Sequence, residues 1–177
     1  EEQAGMKGYR LAEKLGVPLV IMEPVRGGAL ANFSEDLNAK FRTLDEKASI
    51  ASYALRYVGS LPNVKVILSG MSTMEQVEDN INTFSPFCPL NIREEVAIAN
   101  TAAALRARVQ NGCTGCRYCM PCPHGVDIPG NFKLWNTYHM YQRYESVRFG
   151  WEGKAESEKP TSCVCCGKCM VNCPQKI

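Results

Sequence analysis

Apolar positions at Met6, Tyr9, Ala12 and Leu15 recur at near-helical intervals and predict a helix over 4–15, stopped by Gly16 and followed by Val17-Pro18. Leu19 to Met22 is then a short unbroken apolar run between Pro18 and Pro24, the length of a parallel strand buried on both faces. Gly27-Gly28 interrupts the pattern. Thr43-x-x-Glu46 has the form of a capping box ahead of a helix carrying Ile50, Ala54 and Val58, with Gly59 as its stop. After a Pro62-Asn63 turn, Val64 to Leu68 reads as a second strand with Ser69-Gly70 as its exit loop. Ser72-x-x-Glu75 forms a further box before a helix that lines up Met74, Val77 and Ile81. A last helix starts after Asn91, boxed by Glu94, with Ile98, Ala102, Leu105 and Val109 at helical spacing.

Strand, crossover helix, strand is the unit of a parallel sheet, so this part of the chain is α/β. Two strands alone make no stable sheet, and a complete eight-stranded α/β barrel takes about 250 residues. If this is barrel material, it is the C-terminal portion of a (β/α)8 barrel, with its remainder upstream. The chain opens Glu1-Glu2-Gln3 and stops at Ile177 directly behind a cysteine run, which points to a fragment cut at both ends.

Composition changes this picture in one respect. The 177 residues are 45% apolar and 21% charged, enough to bury a core, and 20 Lys+Arg against 18 Asp+Glu leave a net charge of only +2. With no block of like charges, neither nucleic acid nor an anionic membrane is indicated as a partner. No apolar run approaches the roughly 18 residues needed to span a bilayer and no signal peptide is seen, so a cytoplasmic location is expected. The cysteines, however, are uneven: nine of ten lie between Cys113 and Cys173. Two regions of different chemistry follow, 1–110 and 111–177.

The cysteines form a duplicated motif. Cys113-x2-Cys116-x2-Cys119-x2-Cys122-Pro123 and Cys163-x2-Cys166-x2-Cys169-x3-Cys173-Pro174 each bring three thiols at three-residue spacing and a fourth beside proline. The second resembles the bacterial ferredoxin run, and the first is shorter by one residue. The resemblance implies two 4Fe-4S clusters with crossed ligation: Cys113, Cys116, Cys119 and Cys173 on one, Cys163, Cys166, Cys169 and Cys122 on the other. Zinc is the alternative, since two CxxC pairs hold one ion, but three successive steps ending in Cys-Pro, twice, exceed what tetrahedral sites require. Disulfides are disfavoured by the short loops and a reducing cytosol. Cys165 and Cys88 are surplus and read as plain buried thiols.

The 40 residues between the motifs (123–162) are too many for a compact β-type ferredoxin. Phe132, Trp135, Tyr138, Tyr141 and Tyr144 recur there every three residues along one drifting helical face, which suggests a small, mainly α-helical, two-cluster ferredoxin-like domain. The stripe is expected to form its core and shield the clusters. Glu152 to Pro160 reads as a solvated loop, and His124 as a surface hydrogen-bonding residue.

Three stretches of the first region are similar to the C-terminal part of an aldo/keto reductase, of the branch whose barrel is followed by a ferredoxin-type segment. Met22-Glu23-Pro24-Val25-Arg26-Gly27-Gly28-Ala29-Leu30 resembles the seventh barrel strand and its loop, and Tyr53-Ala54-Leu55-Arg56-Tyr57-Val58 the helix after it. Ile67 to Asn80, ILSGMSTMEQVEDN, resembles the eighth strand and following helix. The resemblance implies binding of the adenosine 2′-phosphate of NADPH by Gly70, Met71, Ser72, Thr73, Gln76, Asp79 and Asn80, in keeping with anion sites at helix N-termini and late barrel loops. No Lys or Arg lies between Ile67 and Asn80, so NAD and NADP both remain open, with Arg26 as a candidate cation. The family's catalytic Asp, Tyr, Lys and His sit on earlier strands that these residues do not match, so this chain as written should not reduce a carbonyl. The resemblance thus implies an NADP(H)-dependent oxidoreductase whose barrel end is fused to an electron-transfer module, with a redox partner protein or a small carbonyl substrate. A stand-alone ferredoxin-like carrier, or clusters with a purely structural role, are the alternatives. Oligomeric state is not legible.

Overall fold

The computed structural model describes residues 5–177, which divide into two compact units, up to Thr101 and from Ala102. Residue 4, the first of the predicted 4–15 helix, lies outside the described residues. No described helix is long and apolar enough to cross a membrane.

In the first unit, helix α1 (Gly5–Lys14) leads into strand β1 (Leu19–Met22), and β2 (Val64–Leu68) pairs with β1 in parallel, Val20 opposite Val66 and Met22 opposite Leu68. Between the strands run α2 (Glu35–Arg42) and α3 (Ile50–Gly59), and α4 (Met74–Phe84) follows β2. Helix α5 (Ile92–Ala107) begins in this unit, and the division falls within it. Strand, helix, strand, helix is the order a barrel segment requires.

Three expectations are corrected. Helix α2 was not read from the sequence, yet Leu37 and Phe41 on it are among the most buried side chains, with Phe41 4.8 Å from the Tyr53 ring and 6.2 Å from Phe33. Its signals are present: Ser34 at the N-cap, Glu35 and Asp36 in the first turn, Lys40 and Arg42 in the last. Thr43, read as the start of a capping box, instead closes α2, its hydroxyl donating to the Lys40 carbonyl at 2.8 Å. The cap of α3 is Ser49, whose Oγ accepts the Ser52 N–H at 3.0 Å.

The third correction concerns the strands, which are not buried on both faces. Leu19, Ile21, Val64 and Ile67 are half-buried, with α3 packed on β2, while Val20, Met22, Val66 and Leu68 are 55%, 71%, 45% and 50% exposed. The side-chain period of 2 puts these four on one face, and a two-stranded sheet has nothing over it.

The second unit has no strand between 102 and 177. Helix α6 (Ile128–Tyr141) is its longest complete element, followed by the short helices α7 (Arg148–Glu152) and α8 (Lys168–Asn172) and three 3-10 turns. Its buried apolar residues are Leu105, Val126, Tyr141 and Val147. Asp127 caps α6, its carboxylate accepting the Gly130 N–H at 3.2 Å and ion-pairing with Lys154. The segment read as a solvated loop is thereby pinned: the Glu158 carbonyl accepts the Asp127 N–H at 3.0 Å and Asn131 Nδ2 at 2.7 Å, and the Lys159 ammonium lies over the Trp151 ring.

The aromatic stripe is also corrected. Only Tyr141 is buried; Phe132 is half-buried and Trp135, Tyr138 and Tyr144 are exposed. A three-residue spacing drifts around a helix of 3.6 residues per turn, so the stripe sweeps across about half of the α6 surface and cannot keep to one inward face.

Candidate cluster and nucleotide sites

Both cysteine runs are shaped by left-handed residues at matching positions. In the first run these are Gly115 (φ 71°) and Arg117 (φ 65°), and in the second Cys165 (φ 56°) and Gly167 (φ 73°). Each such turn redirects the chain between successive cysteines, and at one of them the Cys165 N–H donates to Cys163 Sγ at 3.4 Å. Ahead of the first run, Asn136 of α6 accepts the Gln110 and Asn111 N–H groups, and Asn111 Oδ1 in turn accepts the Cys113 N–H at 3.2 Å. In the second, α8 carries Cys169 in its first turn and delivers Cys173 as its C-cap.

The thiols are all unpaired and line two cavities. One, of about 180 Å³, takes Cys113, Cys116, Cys119 and Cys173, walled by Ile128 and Phe132 of α6. The other, of about 330 Å³, takes Cys122, Cys163, Cys166 and Cys169 beneath Val126. Cys169 also touches the first cavity and Cys119 the second, so these two mark the boundary between them. Among the described residues no three His, Cys, Asp or Glu side chains close on a single point as one metal ion demands. Thiols of both runs line each of the two spaces, a soft donor set suited to an iron–sulfur group.

Local electrostatics differ between the thiols. Burial pushes the Cys119 thiol up, with the facing thiols of Cys113, Cys116 and Cys169 adding to it. The Cys173 thiol is held down by backbone N–H groups of Ile177, Gln175 and Lys176, which favour the thiolate, the form that binds metal. Cys88 and Cys165 are exposed rather than buried, because Cys88 lies in the loop before α5 and Cys165 on the wall of the second cavity. His124 is exposed beside that cavity, and His139 packs edge-on against Trp135 at 4.3 Å.

In the first unit a cavity of about 530 Å³ opens at the C-terminal ends of β1 and β2. Gly70, Met71, Ser72, Gln76, Asp79 and Asn80 line it; Thr73 does not, being the N-cap of α4. The cap is one residue later than the Ser72-x-x-Glu75 pattern suggested: Thr73 Oγ1 accepts the Gln76 N–H at 3.4 Å and Gln76 Oε1 accepts the Ser72 N–H at 2.7 Å. Asp79 accepts the Ser49 hydroxyl at 2.7 Å and Asn80 Nδ2 donates to Ser69 Oγ at 2.9 Å, so α3 and the β2 exit loop fix the lining. The wall carries the Glu23 and Asp79 carboxylates and no Lys or Arg. Arg26 is an exposed loop residue in left-handed conformation and is not part of it.

A strand–helix repeat with a cavity at the strand ends, joined in one chain to paired thiol cavities, defines an oxidoreductase with an iron–sulfur electron-transfer module. Comparison with family models agrees. The model for the aldo/keto reductase family matches residues 3–99, more than half of the chain, and the one described as a 4Fe-4S dicluster domain matches 112–177. The chain belongs to the aldo/keto reductase family, with a C-terminal ferredoxin-type domain, and its strands are part of a (β/α)8 barrel. Neither curated proteins nor solved structures gave a match.

Proposed function

We propose that the chain is the nucleotide-binding end of a cytoplasmic, nicotinamide-dependent aldo/keto reductase (residues 1–110) whose iron–sulfur domain (111–177) holds two 4Fe-4S clusters. The observation that carries this is that cysteines of both runs line two cavities, Cys173 joining Cys113 and Cys116 at one and Cys122 joining Cys163 and Cys166 at the other, with Cys119 and Cys169 on the boundary between them. Cys113, Cys116, Cys119 and Cys173 would hold one cluster, and Cys163, Cys166, Cys169 and Cys122 the second. Bound there, each cluster supplies a site for one electron, so the pair matches the two electrons of a hydride. The chain's own residues provide thiolates, a backbone N–H directed at sulfur, and the apolar side chains of Ile128, Phe132 and Val126 on the cavity walls.

Gly70, Met71, Ser72, Gln76, Asp79 and Asn80, with Thr73 ordering the helix start behind them, are the proposed nucleotide site. The wall fits an adenosine better than its 2′-phosphate: a dianion there would face Glu23 and Asp79 without a cation, whereas carboxylates suit a ribose hydroxyl. The reading therefore favours NAD(H), or equal use of both forms, over an NADP(H) preference. A redox partner protein or a small carbonyl substrate completes the proposal.

Two measurements test it. Anaerobically prepared protein should contain about eight iron and eight acid-labile sulfide per chain; zinc alone, or colourless protein, overturns the cluster assignment. Fluorescence titration should show NADH bound at least as tightly as NADPH. No binding of either leaves an iron–sulfur carrier with an inert barrel segment.

A further inference from the structure

The second thiol cavity holds a cysteine that neither cluster takes. Besides Cys122, Cys163, Cys166 and Cys169, and Cys119 on the boundary with the first cavity, its wall includes Cys165. The two runs align residue for residue at this point: Cys113-Thr114-Gly115-Cys116 against Cys163-Val164-Cys165-Cys166, with Gly115 at φ 71° and Cys165 at φ 56°. The first run thus uses glycine, which adopts this conformation freely, while the second places a side chain where the backbone opposes one. The side chain it places is a further soft metal ligand on the wall that the four assigned ligands share.

From this we infer that Cys165 is a reserve ligand of the second cluster, able to take the coordination position of Cys122; the inference rests on the cluster reading above. Cys122 is the ligand to be replaced because, of the four assigned to this cluster, it alone comes from the other run, so its place depends on tertiary packing. Cys163, Cys166 and Cys169 are fixed by the local three-residue spacing, and Cys165 belongs to that same segment. The exchange balances without a redox partner. The Cys165 thiol gives up its proton and forms the iron–sulfur bond, the Cys122 thiolate leaves and takes up a proton, and no electron moves.

Iron content and the low-temperature electron paramagnetic resonance of dithionite-reduced protein test this in variants of the full chain. Cys122→Ala should retain about eight iron and the signals of two clusters. Cys165→Gly, which gives the backbone the residue it prefers, should also retain both. The double variant Cys122→Ala/Cys165→Gly should lose half the iron and one signal, while the cluster on Cys113, Cys116, Cys119 and Cys173 persists and reports that the domain has folded. Loss of the second cluster in Cys122→Ala alone overturns the inference, as does full iron in the double variant. Wild-type protein without iron overturns the underlying cluster reading instead, so the two failures are distinguishable.

Discussion

Arg56 and Glu94 form a two-pronged ion pair, Nη1 to Oε1 at 2.7 Å and Nη2 to Oε2 at 2.8 Å, with side chains only 13% and 8% exposed. Burial works against the Arg56 charge, but the Glu94 carboxylate more than offsets it and the guanidinium is held above its ordinary value. The same arginine donates to the Cys88 and Pro89 carbonyls at 2.8 and 3.1 Å, and Glu94 accepts the Asn91 N–H, closing the capping box of α5. Glu94→Gln leaves a buried cation short of its counter-charge and should cost about 3 kcal/mol in urea unfolding; a loss below ~1 kcal/mol would mean the pair does not fasten the start of α5. Asp127 offers a pH-dependent case. Its carboxyl is held below its ordinary value by the Lys154 ammonium first and the Gly130 N–H after it. The folded value being the lower one, the stabilisation is complete above the unfolded value near pH 4 and fades as pH falls through the folded value. Asparagine caps a helix as well as aspartate, so Asp127→Asn isolates the charge. Wild type should exceed it in unfolding free energy by about 1 kcal/mol at pH 7, the difference shrinking as pH falls below the unfolded value and vanishing below the folded one; a gap that does not shrink in acid contradicts the ion-pair account.

At the scale of elements, the helices with capping residues and a single apolar face were the most legible. The Asn91–Glu94 box is present as read, with Asn91 Oδ1 accepting the Glu94 N–H at 3.1 Å and Glu94 accepting the Asn91 N–H in return. Other patterns failed by competition between neighbours: Thr73 took the cap of α4 from Ser72, and Ser49 that of α3 from Thr43, because the chain direction before each helix decides which hydroxyl reaches a free N–H. Helix α2 was missed because its eight residues carry only two large apolar side chains. Their importance comes from Phe33, just ahead of the helix, and Tyr53 on α3, which close the aromatic cluster. Phe41→Ala should accordingly cost about 3–5 kcal/mol, read as a lowered urea midpoint of the first unit; an effect near zero would show that α2 is not part of its core.

For the molecule as a whole, the consequential surface is the uncovered side of the two-stranded sheet. Val20, Met22, Val66 and Leu68 form an apolar patch on a face that a closed (β/α)8 barrel turns inward, flanked by strand edges with free hydrogen-bonding groups. The 177-residue chain should bind a hydrophobic dye and associate with rising concentration. Met22→Glu with Val66→Lys should reduce both; dye binding and sedimentation unchanged by that pair would place the sticky surface elsewhere. What the sequence by itself determined was whatever depends on residues close together along the chain: the order of strands and helices, the cysteine spacing that marks an iron–sulfur domain, and the loop after β2 as a cavity wall. Covalent spacing and local hydrogen bonds settle those. Only the tertiary structure decided which cavity Cys122 and Cys173 join, that Cys165 shares one of them, and that Glu23 and Asp79 face the cleft at the ends of β1 and β2 without a cation. Each of these is a meeting of segments dozens of residues apart, set by how helices and loops pack, and no local periodicity encodes it.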